Sequence, residues 1–171
     1  MVTVIASSLA AVTSERVIQA QQPNTRAAAE STTGSQDQSK EAPVRELLTQ
    51  MIDAWNHSDP ARIAAAFTSD GHLIAGDCTH VSKPAEIEHY FGHLLTKLPN
   101  GTTFTSTVIN VQFPTPDIGI LMSDGGFLYP GETTVAPERQ GILSIVATRD
   151  RDGAAWHAVL VQRTRRIPPK K

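Results

Sequence analysis

Asp124 is the side chain whose type and setting point most directly to chemistry. It stands in Ser123-Asp124-Gly125-Gly126, within an apolar run that puts Ile118, Ile120 and Met122 on its own face. Water solvates a carboxylate poorly in such surroundings. Its pKa rises, and a raised carboxylate can serve as general acid or base near neutral pH. The alternative is an acid that bonds the backbone beside the glycines, as Asp commonly does in turns and bulges. Arg139 and Gln140 follow Pro137-Glu138, and either can hold a substrate carboxylate or carbonyl. Arg139 can equally pair with Glu132 or Glu138 at the surface. Gln162 shares a strand face with Trp156, Ala158 and Leu160. Its amide orients a ligand if that face lines a pocket, and bonds across an interface if the face meets another copy. Trp55, Tyr90 and Phe91 point from helical segments toward the strands, as core or as pocket wall.

Metal and cofactor chemistry have less to rest on. There are six histidines. His89 and His93 have the i, i+4 spacing that can hold zinc on a helix. However, Tyr90 stands where an HExxH helix carries its general-base Glu, and both histidines flank an apolar stripe at 87, 90, 91 and 94. No metal is expected. The single cysteine, Cys78, cannot form an internal disulfide. No Gly-rich strand–turn–helix fingerprint marks a dinucleotide site, and no cofactor is expected.

These residues must be positioned by helices followed by strands. Val44, Leu47, Leu48, Met51, Ile52 and Trp55 form one apolar stripe at helical spacing, with Pro43 suited to the first turn. Asp59 and Pro60 read as the cap and first residue of a second helix that carries Ile63, Ala66 and Phe67. A short strand over His72–Ala75 and a loop at 77–82 follow. Pro84 opens a third helix, with Glu86 in its first turn and a stripe at Ile87, Tyr90, Phe91, Leu94, Leu95 and Leu98. Four longer strands are expected at Thr102–Phe113, Ile118–Leu128, Glu138–Arg149 and Ala155–Arg165. Gly125-Gly126 marks a bulge or a close backbone approach. The last two strands are apolar on both alternating faces, which predicts that both faces are covered. Helices can cover one, and a second copy of the chain is expected on the other.

Residues 21–41 are Gln, Ser, Thr, Ala and charge, and read as a disordered tail or linker. Residues 1–12 resemble the apolar core of a secretory signal with cleavage after Ala20, which implies export. No Lys or Arg precedes Arg16, so the alternatives are a nondescript N-terminus and a cytoplasmic protein. A tail at 1–41, one domain at 42–166 and a basic tail at 167–171 make up the expected organisation. Across 171 residues the formal net charge is −2 and 40% of residues are hydrophobic. That balance offers no concentrated basic face for nucleic acid, and the basic C-terminal residues have no interleaved aromatics. No apolar run approaches the ~20 residues of a membrane-spanning helix.

Several stretches together resemble a known family. DAWNHSDPARIAAAFTSDGHLI, TVINVQFPTPDIGILMSDGGFLYPG, TTVAPERQGILSIVAT and WHAVLVQRTR are similar, in order from about Val44 to Arg165, to the SgcJ/EcaC-type proteins. These belong to the SnoaL-like branch of the nuclear-transport-factor-2-like superfamily. The resemblance implies an α+β cone: a curved antiparallel sheet of about four long strands and three N-terminal helices around a pocket. It also implies a homodimer packed through the sheet, an Asp on a cavity strand for proton transfer, and a mouth bordered by the loop that holds Asp77 and His80. Relatives often end in Gln-Asn-Thr-Arg, whereas this chain has Gln162, Arg163, Thr164 and Arg165. The substitution brings a charge to a possible pocket rim. Two functions are therefore expected as alternatives. One is a cofactor-independent cyclase or isomerase using Asp124. The other is a non-catalytic ligand-binding or assembly domain, with a small apolar or polyketide-like ligand.

Overall fold

The computed structural model describes residues 25–150, 153 and 155–166, with side chains from residue 39 onward. The expected signal segment and the tail at 167–171 lie outside the described residues. Three helices and six strands are arranged as α1 (Thr25–Asn56), α2 (Pro60–Ala65), β1 (Phe67–Ile74), β2 (His80–Ser82), α3 (Pro84–Lys97), β3 (Thr103–Thr115), β4 (Ile118–Leu128), β5 (Gln140–Arg149) and β6 (Trp156–Arg165). The curved sheet has the order β2-β1-β6-β5-β4-β3 and is not closed.

The helices form where the stripes predict. On α1, Val44, Leu47, Leu48, Met51 and Trp55 are buried against the sheet. The helix begins at Thr25 and runs through Pro43, ahead of the expected start. Residues 25–38 hold Ala, Glu and Gln, which favour helix without any apolar stripe. At the other end, Asn56 clamps α1 to β3: its amide donates to the Phe104 carbonyl at 3.2 Å and accepts from the Phe104 N–H at 2.7 Å. Asp59 caps α2 by accepting from the Arg62 N–H at 2.9 Å. Phe67, expected on that helix, instead opens β1. β1 runs parallel to β6, the one parallel pairing among the described strands, and β2 occupies the expected loop.

Two local features of the sheet decide which side chains face the helices. Gly125 and Gly126 pair regularly with β5, so they form a close approach rather than a bulge. A Cβ on Gly125 would lie 2.0 Å from the Thr105 carbonyl oxygen. One of the sheet's irregularities is a bulge in β6, where Ala147 pairs with Ala158 while the next residue back, Val146, pairs with Leu160, leaving Val159 extra. One extra residue flips the facing of everything beyond it. Ala158 is fully buried and so is Val161, at 2% exposure, so the inward set changes from even to odd numbers along this strand. The apparent two-sided apolarity of β6 is therefore largely the trace of this bulge.

Candidate functional site

A cavity of about 290 Å³ opens between α1, α3 and the inner face of the sheet. Helix α1 supplies Leu48, Met51, Ile52 and Trp55, and α3 supplies Tyr90, Phe91 and Leu94. The sheet contributes Phe104, Phe127, Leu143 and Val161. The aromatic wall is continuous: the Trp55 ring lies 5.9 Å from Phe91, 6.3 Å from Phe104 and 5.0 Å from Phe127, between centroids. The apolar residues of the helical stripes thus do two jobs. They bury the helices, and where the sheet curves away they line the gap.

Polar groups gather at one end, where Gly76, Asp77, Arg163 and Arg165 join the lining. Arg163 is half-buried. Its guanidinium lies over the Phe127 ring, 4.7 Å from the centroid, and its Nη2 donates to the Arg139 carbonyl at 2.5 Å. Burial lowers its pKa, with the nearby Arg165 charge adding to the effect. Asp77 accepts from the Thr79 N–H at 3.0 Å, and this bond holds its carboxyl below the usual range. The Tyr90 phenol is pushed up, chiefly by burial and then by the Asp77 charge. The Trp55 indole Nε1 is buried without a hydrogen-bond partner.

Of the residues singled out in the sequence, Trp55, Tyr90 and Phe91 line this cavity. Asp124, Arg139, Gln140, Trp156 and Gln162 lie elsewhere. Asp124 projects from the outer face of β4, with its side chain 38% exposed, and accepts from Arg166 Nη2 at 2.7 Å. The apolar neighbours on its face, Ile120 and Met122, are on that same outer side, so the apolar burial expected around Asp124 is absent. Arg139 takes the structural option: it pairs with Glu132, bonds the Phe127 carbonyl and lies 4.0 Å above the Tyr129 ring. Gln140 donates to the Val135 carbonyl at 3.1 Å. Trp156 packs edge-on against Phe113, away from the cavity. Gln162 was expected on the face of Ala158, but the bulge turns it outward and brings Arg163 in. The signal for Arg163 was the departure from Gln-Asn-Thr-Arg, and only the bulge gives it a direction. Asp77 does lie at the cavity, in the loop expected to border its mouth. His89 and His93 lie with Glu86 along a separate surface groove beside α3, and no group of three metal-ligating side chains occurs among the described residues.

Solved structures share this architecture. A domain of unknown function with a cystatin-like fold from Nostoc punctiforme aligns over 76% of this chain and 79% of its own, at 25% identity and a TM-score of 0.69. An NTF-2 like protein of unknown function from Shewanella oneidensis aligns over 72% of this chain and 97% of its own, at 11% identity and a TM-score of 0.59. A ketosteroid isomerase-like protein from Erwinia carotovora atroseptica covers 74% of this chain and 96% of its own, at 14% identity and a TM-score of 0.57. The fold is nuclear-transport-factor-2-like. No family model matches the sequence, and no curated protein does. This fold carries many activities, so function has to be argued from the cavity itself.

Proposed function

We propose that the protein binds a small, largely apolar molecule in this cavity and holds it without changing it. The observation that carries this reading is the aromatic-walled cavity with its few polar groups confined to one end, the usual build of a small-molecule site. The protonation behaviour of those groups favours binding over proton transfer. Asp77 is held below the carboxylate range and Tyr90 above the phenol range, so neither changes state near pH 7. The cyclase or isomerase reading assigns proton transfer to Asp124, which is tied to Arg166 on the other side of the sheet. We further propose that the protein acts as a homodimer packed through that outer side, where Ile109 and Met122 are 57% and 37% exposed.

The two tryptophans make the binding proposal easy to test, because Trp55 lines the cavity and Trp156 does not. In a Trp156→Phe background, neutral aromatic amides should perturb Trp55 emission saturably. Leu94→Phe, which fills the cavity from α3, should weaken that response several-fold. Emission that never saturates, or that saturates identically in the filled variant, would place binding elsewhere.

A further inference from the structure

Five of the seven described arginine side chains are paired with acids: Arg45 with Glu41, Arg62 with Asp53, Arg139 with Glu132, Arg149 with Asp117 and Arg166 with Asp124. The two without an ion pair among the described residues, Arg163 and Arg165, are the two that line the cavity. This is an unusual place to leave a guanidinium unpaired. Arg163 is half-buried, and taking a charge out of water is unfavourable unless something compensates it. The Phe127 ring and one backbone carbonyl compensate it in part. A guanidinium has five N–H donors, and the Arg139 carbonyl uses one. Nη1 packs against Gly76: a Cβ there would lie 2.8 Å from it, so the glycine keeps space for the head group.

The cavity's own acid does not fill the role. Asp77 is engaged chiefly by Thr79, and the charge of Arg165 is the least of the influences on it. The lining thus carries two cations against one anion, a net charge of +1. Beside this charged end stands the aromatic wall, with Phe127 shared between the Arg163 guanidinium and the Trp55 indole.

We propose that the ligand of this cavity is an amphipathic carboxylate, its apolar body against Trp55, Phe91 and Phe104 and its carboxylate on Arg163. The inference rests on the binding function proposed above and adds the chemical class of the ligand. Arg163 presents a planar fork that matches a carboxylate, Arg165 adds attraction at the mouth, and the wall excludes water from the pair. The carboxylate completes an ion pair of the kind that the five other described arginine side chains already have.

The test uses matched probes that differ only in charge: octanoate with octanamide, and 2-naphthoate with 2-naphthamide, titrated calorimetrically at pH 7. The carboxylates should bind about 10–100-fold more tightly than the amides, as charge-assisted hydrogen bonds in a partly dry site allow. Arg163→Met should remove that preference and leave amide affinity within about threefold. Gly76→Ala displaces the guanidinium without removing it and should reduce the preference as well, which keeps the test intact if Arg163→Met fails to fold. Equal affinity of carboxylate and amide for the native protein would overturn the anionic ligand while leaving the cavity as a neutral binding site. Binding of neither class would overturn both readings. A preference for carboxylates that survives in both variants would place the anion site elsewhere and overturn the role of Arg163.

Discussion

The two faces of β4, β5 and β6 are built from alternate residues of the same three strands, yet they have become different materials. On the inner face Leu121, Ile145 and Ala147 are fully buried, and Ser123 is buried among them. One residue along, on the outer face, Met122 is 37% exposed and Asp124 keeps an ion pair with Arg166. The arginines at the end of β6 divide in the same way: Arg166 reaches an acid on the outer face, whereas Arg163 lines the cavity without one. Residue type alone does not separate the two faces. Both carry Ile, Leu and Val, and both carry an Arg. The difference is that helices dry one face and leave a gap in it, and a charge beside that gap can be reserved for a ligand.

The largest expected effect tests whether the faces differ in energy as they do in exposure. Ile145→Ala removes a fully buried side chain from the centre of the sheet and should cost about 2–5 kcal/mol in urea unfolding. Met122→Ala, one face away, should cost about 0.5 kcal/mol or less in dilute solution. Equal losses would mean that the outer face is also packed against something.

That something is the subject of the second prediction. The proposed dimer covers Met122 and Ile109, together with Ile120 on β4 and Ile142 and Val146 on β5, which are partly exposed in the single chain. Light scattering at micromolar concentration should give about twice the 18.4 kDa chain mass. Met122→Lys places a charge in the contact and should return the particle to the single-chain mass while leaving the cavity's carboxylate preference within about twofold. A native protein that scatters as a single chain would remove the dimer and leave the outer face as ordinary surface.

How much of this was legible beforehand follows the range of the interactions concerned. The helical stripes were readable because packing and spacing are both local: Val44 to Trp55 and Ile87 to Leu94 contribute much of the core and the wall. β4 runs from Ile118 to Leu128, as the turn residues on either side indicate. β1 was not readable from Phe67, because Ala64-Ala65-Ala66-Phe67 continues a helical pattern and the parallel pairing with β6 joins residues about 90 apart in the chain. The site suffered most from the bulge. Val159 is one apolar residue among several, and nothing in its type says that it is the extra one. Reading straight through it keeps Gln162 on the face of Ala158, whereas the bulge turns Gln162 outward and brings Arg163 into the cavity. The same alternation places Asp124 with Ile120 and Met122, as the structure does, but an apolar face need not be a dry one. Where two faces are similar in composition, only the helices decide which is dry.

The smallest expected effect concerns Asp77, the acid that sits at the cavity yet does not neutralise Arg163. The Thr79 N–H donates to its carboxylate, and this bond favours the charged form and lowers the folded-state pKa from 3.8. A lowered folded pKa means that the folded chain binds the proton less readily than the unfolded one. The resulting stability is present above the unfolded value and is lost as pH falls through the folded value. Asp77→Asn keeps an oxygen that can accept from Thr79 but removes the charge. Because Asp77 is exposed, solvent screens much of the effect, and the variant should melt no more than about 2–4 °C below the native protein at pH 7. That gap should close as pH falls below the ordinary carboxylate range. A gap that stays constant from pH 7 to pH 3 would mean that Asp77 contributes shape and not charge. The same variant also bears on the contrast between the faces. Removing the one negative charge from the lining should strengthen carboxylate binding slightly, by about twofold, since the probe no longer meets a like charge near Tyr90 and Arg165. Weaker binding in Asp77→Asn would show that the acid holds the arginines in place, and that the cavity's charge is organised by Asp77 rather than opposed by it.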